Sequence, residues 1–428
     1  MTSLAQVGQQ IGSRYLVSLA SGEYLKLWVA TLCSQSAVWA LIVARAALVL
    51  QLTGSPAWTG YVTFAAMIPS VVVSPVAGFL SDRFDRRTVL AYAYSLNLAH
   101  NLLLAVLVVT GAIEAWHVLL LAIVNGSARS TQIAASQALL ANTVSREQLV
   151  NAVSLYQAAQ HGSRFVGPFL LLVVLWTAGE DWVFFLGAGL YLVGMAQIIS
   201  IRTRSTGVVE TGEGAAVVLR NLAAGLQFMY RNALVLSIVI MVVAHCALTM
   251  SFESLFPVLS RDKLGMEDSA IMGGASWLMV GYGAAALVTA MMLAGVRSEQ
   301  ARGRLFWVLA FLSGLTPIAL AFSHNLPVAV LSAAGMGLAQ GGFMTLGHVT
   351  VQTLAPDAIR GRLMGVYVWH IQTFMAVFNL INGTLAGFTS LTASIILAAG
   401  GVGFAIVVIS SLGQAPLRRM YTKGVPAS

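Results

Sequence analysis

Apolar residues in this chain are grouped in long runs of about 20 residues, separated by short polar segments. An α-helix of that length is what crosses the hydrocarbon core of a bilayer. The pattern predicts an all-α membrane protein with twelve transmembrane helices (spans 1 to 12), at residues 27–50, 57–80, 88–111, 115–141, 148–176, 182–201, 232–259, 270–295, 305–323, 326–353, 363–388 and 390–413.

The longest polar interruption, residues 202–231, falls midway between six predicted spans and six. A shift of 211 residues places Gly126 on Gly337 and Tyr156 on Tyr367 without a gap, from span 4 into span 5. Internal symmetry of this kind is common in proteins with many spans. We predict two pseudo-symmetric six-helix bundles, organised as an N-terminal segment (1–26), a first bundle (27–201), a linker (202–231), a second bundle (232–413) and a tail (414–428).

Composition agrees with a membrane protein, because 58% of the residues are hydrophobic and only 9% are charged. Soluble domains have about a quarter charged residues. Of the 23 lysines and arginines, 18 lie on the N-terminal side of the predicted bilayer, two lie in loops on the opposite side and three lie within spans. This bias predicts cytoplasmic N- and C-termini in a bacterial inner membrane. The basic residues form no continuous face, so we expect no nucleic-acid partner.

Residue patterns for enzyme or cofactor chemistry are missing from the sequence. Cys33 and Cys246 lie singly in apolar runs and define neither a disulfide framework nor a metal site. No nucleotide-binding loop, catalytic carboxylate pair or Cys/His metal-ligand spacing occurs. We therefore expect no enzyme activity, no cofactor and no ATP-driven step. A membrane sensor or an intramembrane enzyme is the hypothesis from a different class, but the nucleophile or metal set that an enzyme needs is not visible.

The segment between spans 2 and 3 carries the most specific motif, since residues 78–87 read Gly-Phe-Leu-Ser-Asp-Arg-Phe-Asp-Arg-Arg. It resembles the signature loop of the major facilitator superfamily, with Asp85 at a position where glycine is commonest. Further stretches resemble the exporter branch of that superfamily, which includes the enterobactin exporter and macrolide-efflux pumps. They are residues 52–55, 149–152, 167–168, 225–228 and 360–365.

The resemblance implies alternating access, in which two bundles rock about a central cavity lined by spans 1, 4, 7 and 10. It implies a secondary-active carrier that exports small amphipathic molecules, such as a drug, a siderophore or a related metabolite, in exchange for protons. We expect a monomer. A lipid-like substrate such as a lysophospholipid and uptake instead of export both stay open, because direction depends on coupling and not on fold.

The signature loop acts as a conformational latch in the family fold. The resemblance assigns that role to Gly78, Asp82, Arg83, Arg86 and Arg87. Asp82 would then lie near the start of span 11, where free N–H groups and the helix dipole favour an anion. The alternative is that the basic residues only fix the loop on the cytoplasmic side.

Charged side chains within the spans are costly to bury and usually functional. There are four, of which Arg164 in span 5 is equally compatible with a helix-packing contact. The 211-residue shift places Arg129 on Gln340, so each half would contribute one polar side chain at an equivalent position of one cavity. The candidate substrate or coupling residues are Arg45, Arg129, Gln132, His245, Thr249, Glu253, Gln340 and His348.

Glu253 is the only acid among the four charges, so we interpret it as the proton-carrying group. His245, Thr249 and Glu253 recur at intervals of four residues and would share one face of a helical span 7. Arg45 lies at a comparable depth in span 1, and the two charges would pair across the outer gate. A static salt bridge is the alternative.

Overall fold

The computed structural model describes residues 16–203, 215–296, 298–356 and 359–424. These residues form helices joined by short turns, and no β-strand occurs among them. The first half contains α1 (Gly22–Thr53), α2 (Pro56–Met67), α3 (Pro69–Arg83), α4 (Arg86–Val109), α5 (Ala115–Leu140), α6 (Leu149–Thr177) and α7 (Val183–Ser200). The second half contains α8 (Ala215–Arg231), α9 (Ala233–Leu248), α10 (Phe256–Asp262), α11 (Asp268–Ala294), α12 (Glu299–Ala321), α13 (Leu326–Leu354), α14 (Arg360–Phe388), α15 (Ala393–Ser411) and α16 (Ala415–Lys423).

The helical membrane fold predicted from the apolar runs is confirmed. Eleven segments of the described chain are long and apolar enough to cross a bilayer, or up to twelve if a bent pair of helices counts as one span. Where a predicted span is a single helix, its predicted and observed ends agree within about six residues. The limits assigned to the two bundles and the linker stay a prediction.

Two predicted spans are interrupted. Span 2 is divided between α2 and α3, because Pro69 has no N–H with which to continue the hydrogen-bond ladder. Span 7 was predicted as one helix, which is wrong: α9 ends at Leu248 and α10 begins only at Phe256. Pro257 occupies the first turn of α10, where its missing N–H is tolerated. The seven residues between α9 and α10, called the span-7 break, need hydrogen-bond partners from elsewhere.

The linker contains a helix that the hydropathy pattern did not predict. Residues 222–231 of α8 meet residues 233–248 of α9 at a bend of 103°. The helix packs against α14, and a Cβ on Gly225 would lie 2.7 Å from the carbonyl oxygen of Arg362. Only glycine permits an approach this close, so α8 is seated on the second half.

Glycines aligned by the 211-residue shift have the same role in the two halves. Gly126 in α5 lies against the backbone of Ala66 in α2, and Gly337 in α13 lies against the backbone of Tyr282 in α11. A Cβ on either glycine would overlap a carbonyl oxygen. Corresponding helices therefore approach each other in the same way in each half, as expected of pseudo-symmetric bundles.

The halves meet most extensively where α2 packs on α14 and where α6 packs on α11. α2 approaches α14 closely at Gly60 and Gly383, where a Cβ on Gly60 would lie 3.0 Å from the Cα of Gly383. Nearby, Nη1 of Arg261 donates to the carbonyl oxygen of Gly54 at 2.8 Å. We call this end of the molecule the Gly54 end, and the opposite end, which carries Arg86, the Arg86 end.

Candidate functional site

A chain of buried polar side chains crosses the first half. Nη1 of Arg45 donates to Oδ1 of Asn125 at 3.1 Å, and Nδ2 of Asn125 donates to Oδ1 of Asn97 at 2.8 Å. Nδ2 of Asn97 donates to Oε1 of Gln132 at 3.4 Å, and Nε2 of Gln132 donates to Oγ of Ser34 at 2.6 Å. All five side chains are buried. Polar groups in an apolar interior need such partners, so the chain links α1, α4 and α5.

Gln132 was predicted to face the substrate together with Arg129. Its amide is 2% exposed and is engaged within the first half, with Ser34 and Asn97. In this conformation its contacts are therefore structural, and a direct role towards substrate stays a prediction.

Arg129 differs from Gln132, although it lies less than one turn away. It is partly exposed and lines a narrow cavity together with Arg45, Asn125 and Thr63. Its Nε atom is buried and has no hydrogen-bond partner among the described residues. The cavity therefore brings two guanidinium groups to one space.

Arg164 was considered both as a functional charge and as a helix-packing residue. Its backbone in α6 lies against Gly283 of α11, where a Cβ would be 2.5 Å from the Arg164 carbonyl carbon. Its guanidinium carbon lies 4.8 Å from the ring centroid of Trp39, a cation–π contact. The packing role is therefore observed, and the charge is also close enough to interact with Arg129 and Glu253.

Glu253 lies in the span-7 break, and its carboxylate is held by α14. Oε2 of Glu253 accepts from Nδ2 of Asn379 at 2.9 Å, while Oδ1 of Asn379 accepts from the backbone N–H of Ser254 at 3.1 Å. The carbonyl oxygen of Ser254 accepts from Oγ1 of Thr59 in α2 at 2.8 Å. One cluster therefore connects the break to α14 in its own half and to α2 in the other half.

Two further amides bond to the backbone of the break. Nε2 of Gln340 in α13 donates to the carbonyl oxygen of Thr249 at 3.0 Å, and Nδ2 of Asn382 in α14 donates to that of Ser251 at 2.7 Å. Side chains thus bond four backbone groups of the break that no helix satisfies. Gln340, predicted as a cavity residue, supports the backbone here.

The predicted helical face of His245, Thr249 and Glu253 is wrong for its last member. The helix ends at Leu248, so Glu253 has no helical register with the other two. The predicted pairing of Arg45 with Glu253 does not form in this structure either. Arg45 donates to Asn125 and Glu253 accepts from Asn379, as described above.

The two candidate histidines lie in aromatic surroundings. His245 is buried, with its ring centroid 4.8 Å from that of Phe343 and 5.0 Å from that of Phe404. Neither of its ring nitrogens has a partner among the described residues. His348 is half-buried against the ring of Tyr367. Their contacts are those of packing residues, and a role in coupling stays a prediction.

The signature segment is mostly helical, since only residues 84–85 separate α3 from α4. Oδ1 of Asp85 accepts from the backbone N–H of Arg87 at 3.2 Å and caps the start of α4. An aspartate cap satisfies a free N–H group and suits the positive end of the helix dipole. This role explains an acid at the position where the family usually has glycine.

Two arginines of the signature segment tie it to the first half. Arg86 donates to the carbonyl oxygens of Ser81 at 3.2 Å and Ala138 at 3.1 Å, and Arg87 donates to that of Ile199. These carbonyls lie near the C-terminal ends of α3, α5 and α7, which favour a cation. Arg83 is exposed in the last turn of α3.

Gly78 and Asp82 lie within α3. The side chain of Asp82 falls outside the part of the chain that the structure describes, so its predicted contact with the start of span 11 stays a prediction.

Asn97, Asn125 and Asn379 were missed by the sequence reasoning, which searched the spans for charges. Each is an amide inside an apolar run, and each is at most 1% exposed. That pattern was the available signal, because a buried amide requires a partner.

Known proteins resemble this chain along most of its length. The model of a family described as transmembrane secretion effector matches residues 15–423. The multidrug efflux pump Tap of Mycolicibacterium fortuitum is 24% identical over 351 residues, which are 81% of this chain and 84% of the relative. The staphyloferrin A transporter of Staphylococcus aureus is 22% identical over 313 residues, 72% of this chain and 76% of the relative. The crystal structure of the nucleoside transporter NupG, at 16% identity, has a TM-score of 0.71 and covers 91% of this chain and 99% of its own. That likeness concerns the fold alone.

Proposed function

The chain belongs to the transmembrane secretion effector family of the major facilitator superfamily, and on that basis we propose that it exports small amphipathic molecules by proton-driven alternating access. Membership makes it a membrane transporter and not an enzyme. Export of drug-like or siderophore-like compounds is supported by the relatives, whose names are those of an efflux pump and a siderophore transporter. We propose a monomer in a bacterial inner membrane, with cytoplasmic termini that are supported by the charge bias.

One observation carries the proposal, namely the position of Glu253. The only acid among the four charges within the predicted spans lies in the span-7 break, beside the contact of Thr59 in α2 with Ser254. That contact, together with Gly60 against Gly383, holds the two halves together at the Gly54 end. By the charge bias the Gly54 end faces outwards, so this conformation corresponds to a carrier closed on its outer side.

Opening the outer side requires α2 to separate from the break and from α14. Glu253 is bonded to Asn379, and Asn379 also binds the backbone of Ser254, the residue that Thr59 contacts. Protonation of Glu253 removes the negative charge that the Asn379 amide stabilises, and thereby weakens the cluster that joins the halves. A proton on Glu253 would in this way favour the outward-open state and release of substrate.

The test is transport by purified protein in liposomes with an imposed pH gradient. The probes are ethidium as an amphipathic cation and a fluorescent lysophospholipid as a lipid-like alternative. We expect ethidium to accumulate against its own gradient, in the direction opposite to proton flow, and to stop when an ionophore collapses the gradient. Movement of probe in the same direction as protons would favour uptake instead, and transport indifferent to the gradient would contradict proton coupling.

A further inference from the structure

Two arginines, Arg45 buried and Arg129 partly exposed, share one cavity that is lined by residues of the first half. Arg45 is 2% exposed, and Arg129 lines the same cavity next to Asn125, Thr63 and Met67. Their positive charges are close enough to repel each other. An arginine does not lose its proton inside a protein, so both charges are permanent.

Among the described residues, neither arginine of this pair forms an ion pair. Arg45 donates to the carbonyl oxygen of Leu41 and to Oδ1 of Asn125, and both acceptors are neutral. Nε of Arg129 is buried and has no hydrogen-bond partner in the described part of the chain. The positive charge of Arg164 also reaches Arg129, and Glu253, the one acid that interacts with it, is bonded to Asn379 and forms no ion pair with Arg129.

Burying a charge without a partner is among the most costly arrangements in a protein. Two neighbouring guanidinium groups add mutual repulsion to that cost. A ligand with one negative charge would remove the repulsion and satisfy the free Nε–H of Arg129 at once, since guanidinium donors suit anions.

We propose that Arg45 and Arg129 form a binding site for a small anionic group. The group is either a free inorganic anion such as chloride or the carboxylate of a transported molecule, because both offer the same chemistry to a guanidinium. The site needs no assumption about transport direction or proton coupling, so it stands or falls separately from the proposed function.

The test measures the melting temperature of the purified protein while sodium chloride replaces sodium gluconate at constant ionic strength. Chloride and acetate are far smaller than gluconate, and the cavity has room for about one water-sized group. We expect the melting temperature to rise with chloride or acetate and to saturate, as for a ligand that binds only the folded state. Arg129→Gln should weaken the apparent affinity by about tenfold or more, because it removes a charge-assisted hydrogen bond.

Arg304→Gln is the matched control, since it removes one positive charge from an exposed position near the start of α12 and should leave the affinity unchanged. If Arg129→Gln does not yield folded protein, the anion selectivity is measured instead on the unchanged protein and on Arg129→Lys. Lysine keeps the positive charge but lacks the two parallel N–H donors of the guanidinium group, so it should bind the anion more weakly. Equal melting temperatures in chloride, acetate and gluconate would overturn the proposal. So would a chloride effect that survives in Arg129→Gln.

A second comparison separates the two sources of the anion. Acetate and acetamide have nearly the same shape and differ in charge. Stabilisation by acetate but not acetamide, in competition with chloride, would show that the site accepts a carboxylate group such as that of a transported molecule. Stabilisation by chloride alone would identify a free inorganic ion that resides in the protein.

Discussion

Glu253 and Asn379 are joined by a hydrogen bond of 2.9 Å between a carboxylate in the span-7 break and an amide in α14. The oxygen of the same amide group accepts a hydrogen bond from the backbone N–H of Ser254. Because Ser254 is also the contact point of Thr59 from the other half, the state of one carboxylate is connected to the joint between the halves.

We expect Glu253→Gln to abolish proton-driven accumulation of substrate while exchange down a substrate gradient continues. Glutamine keeps the size of the side chain and an oxygen acceptor for Asn379, but it cannot take up and release a proton. The measurement compares gradient-driven accumulation with counterflow in liposomes. Glu267→Gln, at an exposed carboxylate beside α11, is the control and should retain both activities. A Glu253→Gln protein that still uses a pH gradient would remove Glu253 as the coupling group.

Asn379→Ala should loosen the Gly54 end. It leaves the N–H of Ser254 and the carboxylate of Glu253 without their partner, at a cost of roughly 1–3 kcal/mol. The readout is labelling by a membrane-impermeant maleimide of a cysteine placed at Ser55, in a protein lacking Cys33 and Cys246.

Asn382→Ala is the matched control, because the one partner of the Asn382 side chain among the described residues is the carbonyl oxygen of Ser251, and Asn382 is half-buried. We expect faster labelling with Asn379→Ala than with Asn382→Ala. Equal labelling rates would show that Asn379 supports the break without controlling the joint between the halves.

Gly60→Ala should prevent the Gly54 end from closing. The added Cβ would lie 2.9 Å from the carbonyl oxygen of Asn379 and 3.0 Å from the Cα of Gly383, and backbone atoms cannot move aside as a side chain does. Overpacking of this kind costs roughly 1–3 kcal/mol, so transport should fall about tenfold while the protein remains folded. Gly273→Ala is the control, because its Cβ would meet nothing within 4 Å. Normal transport by Gly60→Ala would mean that this contact is not part of the transport cycle.

Asp82→Asn should leave membrane insertion intact and slow transport severely, because the resemblance places this carboxylate in a contact that breaks as the halves move. Transport and expression are measured together, with Asp181→Asn, at an exposed acid on the opposite end, as the control. Unchanged transport would leave the signature segment with the anchoring role that Arg86 and Arg87 already have.

The sequence predicted the helices well because their ends depend on local composition. The span-7 break was missed for the opposite reason. Thr249, Ser251 and Glu253 were visible as polar residues, but the partners that make a non-helical backbone stable are Gln340, Asn379 and Asn382, far away in the chain. Periodicity within one span carries no information about such partners. The same limit explains the wrong pairing of Arg45 with Glu253, which was inferred only from their similar depth in the membrane. In the structure, Arg45 bonds the amide of Asn125 and Glu253 bonds the amide of Asn379.

The polar chain from Arg45 to Ser34 has a consequence for how the first half responds to change. In every amide of this chain, the N–H group donates towards Ser34 and the oxygen accepts from the side of Arg45. Turning over Asn125 or Asn97 alone would set donor against donor on one side and acceptor against acceptor on the other. Arg45 can only donate, so the oxygen of Asn125 must face it, and this fixes the orientations of Asn125, Asn97 and Gln132 in turn from the arginine end of the chain.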